Sequence, residues 1–199
     1  MSDVICVTNR KLCHRNFLKH VEEMMQSHPA AVVLREKDLT EEEYFQLAQD
    51  VLKLEETYHT PCVLHTFYKV AEKLGSKKVH LPMGVLRTLT KEERAGFLVL
   101  GSSCHSVEEA VEAQELGCTY LFAGHIFATD CKKGLRPRGL SFLEEVCRSV
   151  KIPVYGIGGI SPENIREVKE AGATGGCIMS SAMEAEDVSA YLKEFEYGI

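Results

Sequence analysis

The chain alternates short apolar runs with helical patterns from end to end, and this alternation restricts its fold more than any other feature. Val4–Val7 precedes a helical run around Phe17–Gln26, and Ala31–Leu34 precedes Thr40–Glu56, which opens on the capping-box pattern Thr40-Glu41-Glu42-Glu43. Cys62–Leu64 precedes Phe67–Leu74, and Val79–Leu81 precedes a weakly patterned segment that reaches about Arg94. Phe97–Leu100 precedes Val107–Leu116, with Ser106 as the cap and Glu109 three residues on. Tyr120–Ala123 leads into a long polar loop and then Ser141–Ser149. Val154–Ile157 precedes Pro162–Ala171, and Cys177–Met179 precedes Ala182–Phe195. The count is eight strands, seven clear helices and one weak one. The runs are apolar throughout rather than alternating, as befits strands covered on both faces. Glycine closes helical runs at Leu74-Gly75, Leu116-Gly117 and Ala171-Gly172, where a left-handed residue ends a helix. Eight such units predict a closed (β/α)8 TIM barrel, one α/β domain over residues 1–199, with a doubly wound open sheet as the alternative.

Composition narrows the function. A formal net charge of −6 argues against non-specific nucleic-acid binding. No Lys/Arg cluster addresses an anionic membrane, and no apolar run approaches the ~20 residues of a membrane helix. The start, Met1 to Val7, reads as a strand rather than a secretion signal, so a cytoplasmic location is expected. The eight cysteines form no C-x-x-C pair, which leaves a zinc or redox motif without support. Cys6, Cys62, Cys118 and Cys177 lie in strand-like stretches and read as buried free thiols, and no disulfide is expected.

Chemistry in such barrels sits at the C-terminal ends of the strands. The stretch Ile152-Pro153-Val154-Tyr155-Gly156-Ile157-Gly158-Gly159 runs from a strand into a Gly-Gly turn and on to a helix cap at Asn164. Gly175 to Ala182 repeats that grammar. Together the turns at Gly158, Gly159, Ser180 and Ser181 predict a phosphate cup made of main-chain N–H groups. Arg35 and Lys37 stand two apart after strand two. They share a face if the strand continues, and either bind an anionic group or form a solvated charge run. His125 follows strand six, where a neutral imidazole takes and returns protons near pH 7 unless it is a structural histidine. Thr129, Lys132 and Lys133 in the same loop stand within reach of a phosphate. His65, His80 and His105 are further strand-end candidates for the mouth, but no carboxylate joins them at matching positions and no metal site is predicted.

The segments Leu34-Arg35-Glu36-Lys37-Asp38, Val79-His80-Leu81, Gly124-His125-Ile126-Phe127-x-Thr129-x-x-Lys132 and Ile157-Gly158-Gly159-Ile160 together resemble the thiamine phosphate synthase superfamily over nearly the whole chain. That superfamily divides into the synthase, which joins a pyrimidine pyrophosphate to a thiazole phosphate, and the thiazole tautomerase (TenI-type). Where the synthase carries Asn-Asp after strand three, this chain has His65-Thr66. Its segment His80-Leu81-Pro82-Met83-Gly84-Val85 lacks the synthase's Asp, and Val33 stands in place of a Gln. The lost Asp residues are the synthase's Mg²⁺ ligands, and magnesium needs hard oxygen donors. The segment from Gly124 to Leu135 is similar to the tautomerase, whose histidine at the His125 position is the proposed proton-transfer residue, whereas synthases usually have proline there.

The resemblance therefore implies a thiazole tautomerase of thiamine biosynthesis, an isomerase that turns a non-aromatic carboxythiazole phosphate into its aromatic tautomer without metal or cofactor. It implies His125 as the acid–base and the backbone of Gly158, Gly159, Ser180 and Ser181 as the phosphate holder. Arg35 and Lys37 would pair with the substrate carboxylate, and Thr129, Lys132, Ser103 and Cys104 would line the pocket. The runner-up is the thiamine phosphate synthase itself, a transferase. The third reading is a phosphoryl-ligand-binding regulator without DNA contacts of its own. The expected partner is a phosphorylated thiazole, with neither nucleic acid nor membrane, and barrels of this kind often dimerise.

Overall fold

The structure, a computed structural model, describes residues 3–129 and 134–197. Eight strands, β1 (Val4–Val7), β2 (Ala31–Leu34), β3 (Cys62–His65), β4 (Lys78–Pro82), β5 (Val99–Cys104), β6 (Tyr120–Gly124), β7 (Val154–Ile157) and β8 (Gly175–Ile178), pair in chain order. All pairs are parallel, and β1 closes on β8 through Val4↔Gly176, Ile5↔Cys177 and Cys6↔Ile178. That closure makes a (β/α)8 barrel and overturns the open-sheet alternative.

The barrel explains why the strands look apolar throughout. Successive side chains point to opposite faces. Ile5, Val7, Ala31, Val33, Val63, Tyr120, Phe122 and Cys177 fill the inside as one cluster. Their neighbours Val4, Cys6, Val32, Leu34, Cys62, Leu64, Leu100 and Leu121 face outward under the helices. Both faces are therefore dry, and a period of two cannot be read from hydropathy alone.

The helices are α1 (Phe17–Gln26), α2 (Glu41–Tyr58), α3 (Tyr68–Lys73), α4 (Met83–Leu86), α5 (Lys91–Ala95), α6 (Val107–Glu115), α7 (Gly139–Ser149), α8 (Ile165–Glu170), α9 (Ser180–Glu184) and α10 (Val188–Tyr197). The capping box at Thr40 forms in full. Ser106 accepts from the Glu109 amide, but the Glu109 carboxylate bonds the His105 amide, so that box is displaced by one residue. Gly75, Gly117 and Gly172 all take positive φ after their helices.

Three expectations need correction. The weak segment after β4 holds two short helices, the second with its own capping box between Thr90 and Glu93. β5 starts at Val99 and runs through polar Ser102 and Ser103, because the ladder from Lys78↔Val99 to Pro82↔Ser103 governs it rather than hydropathy. The last helix is two helices. Ala185, at φ −59° and ψ 128°, breaks it, and Ser180 and Ser181 lie inside the first turn of α9 rather than ahead of it. Cys6, Cys62, Cys118 and Cys177 are buried, and no helix among the described residues is long and apolar enough to cross a membrane.

One buried tyrosine ties a helix to the strand ends that carry the site. Tyr44 of α2 donates to the Leu34 carbonyl (2.6 Å) and accepts from the His65 amide (2.9 Å). Tyr44→Phe leaves both groups buried without a partner, which costs about 1–3 kcal/mol. Urea titration should show a lowered midpoint at unchanged slope. A loss below about 0.5 kcal/mol, the level of a neutral surface change, would contradict this role.

Candidate functional site

The C-terminal strand ends open into a cavity of about 620 Å³. Arg35, Lys37, Ser103, His125, Thr129, Gly158, Gly159, Ser180 and Ser181, singled out from the sequence, all line it. So do His65, His80 and His105. Cys104 does not: it alternates with Ser103 along β5 and packs into the outer core. Lys132 and Lys133 lie outside the described residues.

Arg35 and Lys37 continue the inward parity of Ala31 and Val33 past the end of β2, so the shared face predicted for them is present. Between them Glu36 turns the other way and is 2% exposed. Its carboxylate accepts from Thr8 Oγ1 (2.6 Å) and the Arg10 amide (3.0 Å), and pairs with the Arg10 guanidinium at 3.3 Å. Thr8 Oγ1 in turn accepts from the Arg35 amide (2.9 Å). The latch fixes the Arg35 main chain, and its side chain reaches across the mouth to Met179 Sδ at 3.9 Å. Arg10 also clamps Asp38 with two bonds of 2.6 and 2.8 Å, which holds that carboxyl well below the usual carboxylate range. A glutamate inside a charged run carries no mark of burial, and sequence reasoning passed over it.

The loops after β6 and β7 form one unit. The Ile126 amide donates to the Ile157 carbonyl and the Phe127 amide to the Gly158 carbonyl, both at 3.0 Å. A Cβ on Gly124 would stand 2.5 Å from the Ile157 carbonyl oxygen, and one on Gly158 would stand 2.4 Å from the Cβ of His125. A Cβ on Gly159 would meet the Ala128 oxygen at 2.6 Å. Gly158 and Gly159 also take φ of +97° and +68°. The Gly-Gly turn thus does more than expose amides: it lets His125 approach. Asn164 accepts from the Ser161 amide (2.9 Å) and donates to the Gly159 carbonyl (2.7 Å), fastening the turn. Its carbonyls are engaged, while the amides of Gly158 and Gly159 donate to no main-chain carbonyl among the described residues. Ser180 and Ser181 start α9 beside them, where first-turn amides lack intrahelical acceptors.

His125 is 6% exposed, and its Nε2 lies 3.4 Å from the Leu135 carbonyl. His105 donates from Nδ1 to the Gly124 carbonyl (2.7 Å), supporting the same strand end. Deeper in, His80 stacks on Phe122 at 4.2 Å between ring centroids and lies 5.5 Å from the His65 ring. Burial pushes His80 down to about 3, with the Lys37 charge adding to it. Burial also holds His65 well below the usual imidazole range, with His80, Lys37 and Arg35 contributing. Both rings are neutral at pH 7.

This neutrality makes the fold acid-sensitive. The unfolded His80 titrates near 6.5 and the folded one near 3, so the unfolded chain binds the extra proton between those values. Stability is complete above that window and falls as pH drops through it. At about pH 4.5 the loss from this one ring is about 2–3 kcal/mol relative to pH 7. His80→Gln, which cannot titrate, should lose less than the parent over that interval in urea titrations at the two pH values. Equal losses would show that His80 is not the source.

The protein-family model described as thiamine monophosphate synthase matches residues 4–182. The thiamine-phosphate synthase of Clostridium acetobutylicum is 34% identical over 184 residues, covering 92% of this chain and 87% of that protein. The thiamine-phosphate synthase 2 of Streptococcus pneumoniae is 33% identical over 195 residues, covering 95% and 91%. The solved structure of thiamine phosphate pyrophosphorylase from Pyrococcus furiosus superposes with a TM-score of 0.84 at 31% identity, covering 98% of this chain and 94% of that one.

Proposed function

The chain belongs to the thiamine monophosphate synthase family, and from that premise we propose that its cavity takes a phosphorylated carboxythiazole and shifts a proton on it through His125. The observation that carries this reading is the donor set at the mouth: imidazoles, an Arg and a Lys, with Glu109 as the one acidic residue among the described residues that line the cavity. In the proposed reaction the C2–H bond of the ring breaks and its proton passes to His125. The pair of that C2–H bond enters the ring π system, and the exocyclic double-bond pair takes up a proton as a new C–H bond, so that the ring becomes aromatic. No oxidant or reductant is consumed. A placed side chain contributes about 10²–10⁴-fold to such a transfer. The amides of Gly158, Gly159, Ser180 and Ser181 hold the phosphate, and Arg35 holds the carboxylate with Lys37 beside it. Thr129 and Ser103 complete the wall.

The second reading is the synthase, and the names of the relatives favour it over the isomerase. The resemblance to that enzyme implies Mg²⁺ on a pyrophosphate. The residues here do not fit that ion: His65-Thr66 and Pro82-Met83 stand at the ends of β3 and β4, and among the described residues no three acidic, His or Cys side chains are grouped so that they could hold a metal ion. Glu109, the acid at the rim, is already given to the His105 amide.

Two incubations separate the readings. The purified protein should convert the non-aromatic carboxythiazole phosphate to its aromatic tautomer, followed by chromatography, at a rate that a chelator leaves unchanged. It should make no thiamine phosphate from the pyrimidine pyrophosphate, thiazole phosphate and magnesium. Thiamine phosphate formation without tautomer conversion would replace the proposal with the synthase. Tight binding without either product would leave a regulator.

A further inference from the structure

Beneath the cavity a buried phenol, an imidazole and a hydroxyl form a line. Tyr120 Oη lies 3.0 Å from His80 Nδ1, and His80 Nε2 lies 2.8 Å from Ser103 Oγ. Tyr120 and His80 are buried, and Ser103 lines the cavity. The Tyr120 ring occupies space left by Gly101, whose Cβ would stand 2.5 Å from the phenol oxygen.

Proton counting sets the polarity of the line. A neutral imidazole has one donor and one acceptor nitrogen. Among the described residues, His80 Nδ1 is the acceptor within hydrogen-bond distance of the Tyr120 hydroxyl. The phenol therefore donates to Nδ1, and the ring proton sits on Nε2. Nε2–H then donates to Ser103 Oγ, which leaves the serine hydrogen directed at the cavity.

We propose that Tyr120 and His80 are positioning residues that hold Ser103 as a fixed hydrogen-bond donor, so that the ligand atom seated against Ser103 is a lone-pair acceptor. This deepens the proposed function, on which it rests. A thiazole ring nitrogen and a carboxylate oxygen are both such acceptors, whereas a ligand presenting an N–H there meets a donor. Replacing Tyr120 by Phe frees Nδ1 to carry the ring proton. His80 Nε2 then becomes an acceptor, and Ser103 turns its hydrogen inward, away from the ligand.

The first test needs no substrate. In ¹⁵N-histidine-labelled protein at pH 7, long-range ¹H–¹⁵N correlations should assign His80 as the Nε2–H tautomer, and Tyr120→Phe should populate the Nδ1–H form. An Nδ1–H tautomer in the parent protein would overturn the proposal. The second test is kinetic, with the non-aromatic carboxythiazole phosphate as the probe. Tyr120→Phe and Ser103→Ala should each raise KM about tenfold with a smaller effect on kcat, as expected for one hydrogen bond to a charged group. The double variant should be no worse than Ser103→Ala alone. Additive losses would mean that Tyr120 acts only as packing and would also overturn it. If the parent does not turn over this substrate, the functional reading fails and the tautomer spectrum still decides the relay.

Discussion

His125→Ala is expected to lower kcat for the tautomerisation by about 10²–10⁴-fold while leaving the fold intact. The imidazole lines the cavity and belongs to neither apolar cluster. Among the described residues its Nε2 makes one long contact, with the Leu135 carbonyl, and the β6–β7 junction is held by the main-chain bonds of Ile126 and Phe127 rather than by the ring. Truncation therefore removes a proton carrier while the main-chain junction that shapes the loop stays tied. The phosphate and carboxylate contacts proposed for Gly158, Gly159, Ser180, Ser181 and Arg35 stay in place. KM should change far less than kcat, and the product should still raise the melting temperature of the variant. That combination marks an interaction made mainly in the transition state. A kcat near the parent value would assign the proton transfer to another group.

Gly158→Ala should damage stability and turnover together. At φ +97° an L-residue pays about 1–2 kcal/mol for the backbone alone. The added Cβ would also stand 2.4 Å from the Cβ of His125 and 3.0 Å from its Cα. Gly117 provides the control. Its φ is +96°, yet a Cβ there meets nothing within 4 Å. Gly117→Ala isolates the backbone cost, and Gly158→Ala adds the collision. The second variant should be destabilised by about 2–4 kcal/mol in total. Its turnover should fall at least ~10²-fold, because the methyl moves the imidazole off its geometry. Equal stabilities of the two variants, with turnover retained, would show that the Gly-Gly turn serves only to expose amides.

The elements that were legible are those written locally. Thr40 and Glu43 sit at capping distance in the chain and cap α2 in space. Gly75, Gly117 and Gly172 follow helical runs and adopt the left-handed conformation that only glycine takes at little cost. The turn at Gly158-Gly159 and the serines after β8 were visible for the same reason, and both line the cavity. The final helix misled because the apolar pattern continues across Ala185, where the chain extends and restarts. Glu36 was invisible because its partners, Thr8 and Arg10, come from another strand's loop. His80 appeared only as one strand-end histidine among several. Its meaning depends on the registers His80↔Gly101 and Gly101↔Tyr120, which bring the phenol beneath it.

By itself, then, the order of residues determined the eightfold alternation, the helix stops and starts, and the glycine turns, because each rests on interactions within a few positions along the chain. Closure of β8 onto β1 decided the rest: which residue of each dry strand faces inward, which histidines stay neutral, and which loop shelters His125. These depend on the inward parity of the strands and on desolvation by distant neighbours, quantities that exist only once the sheet has curved shut.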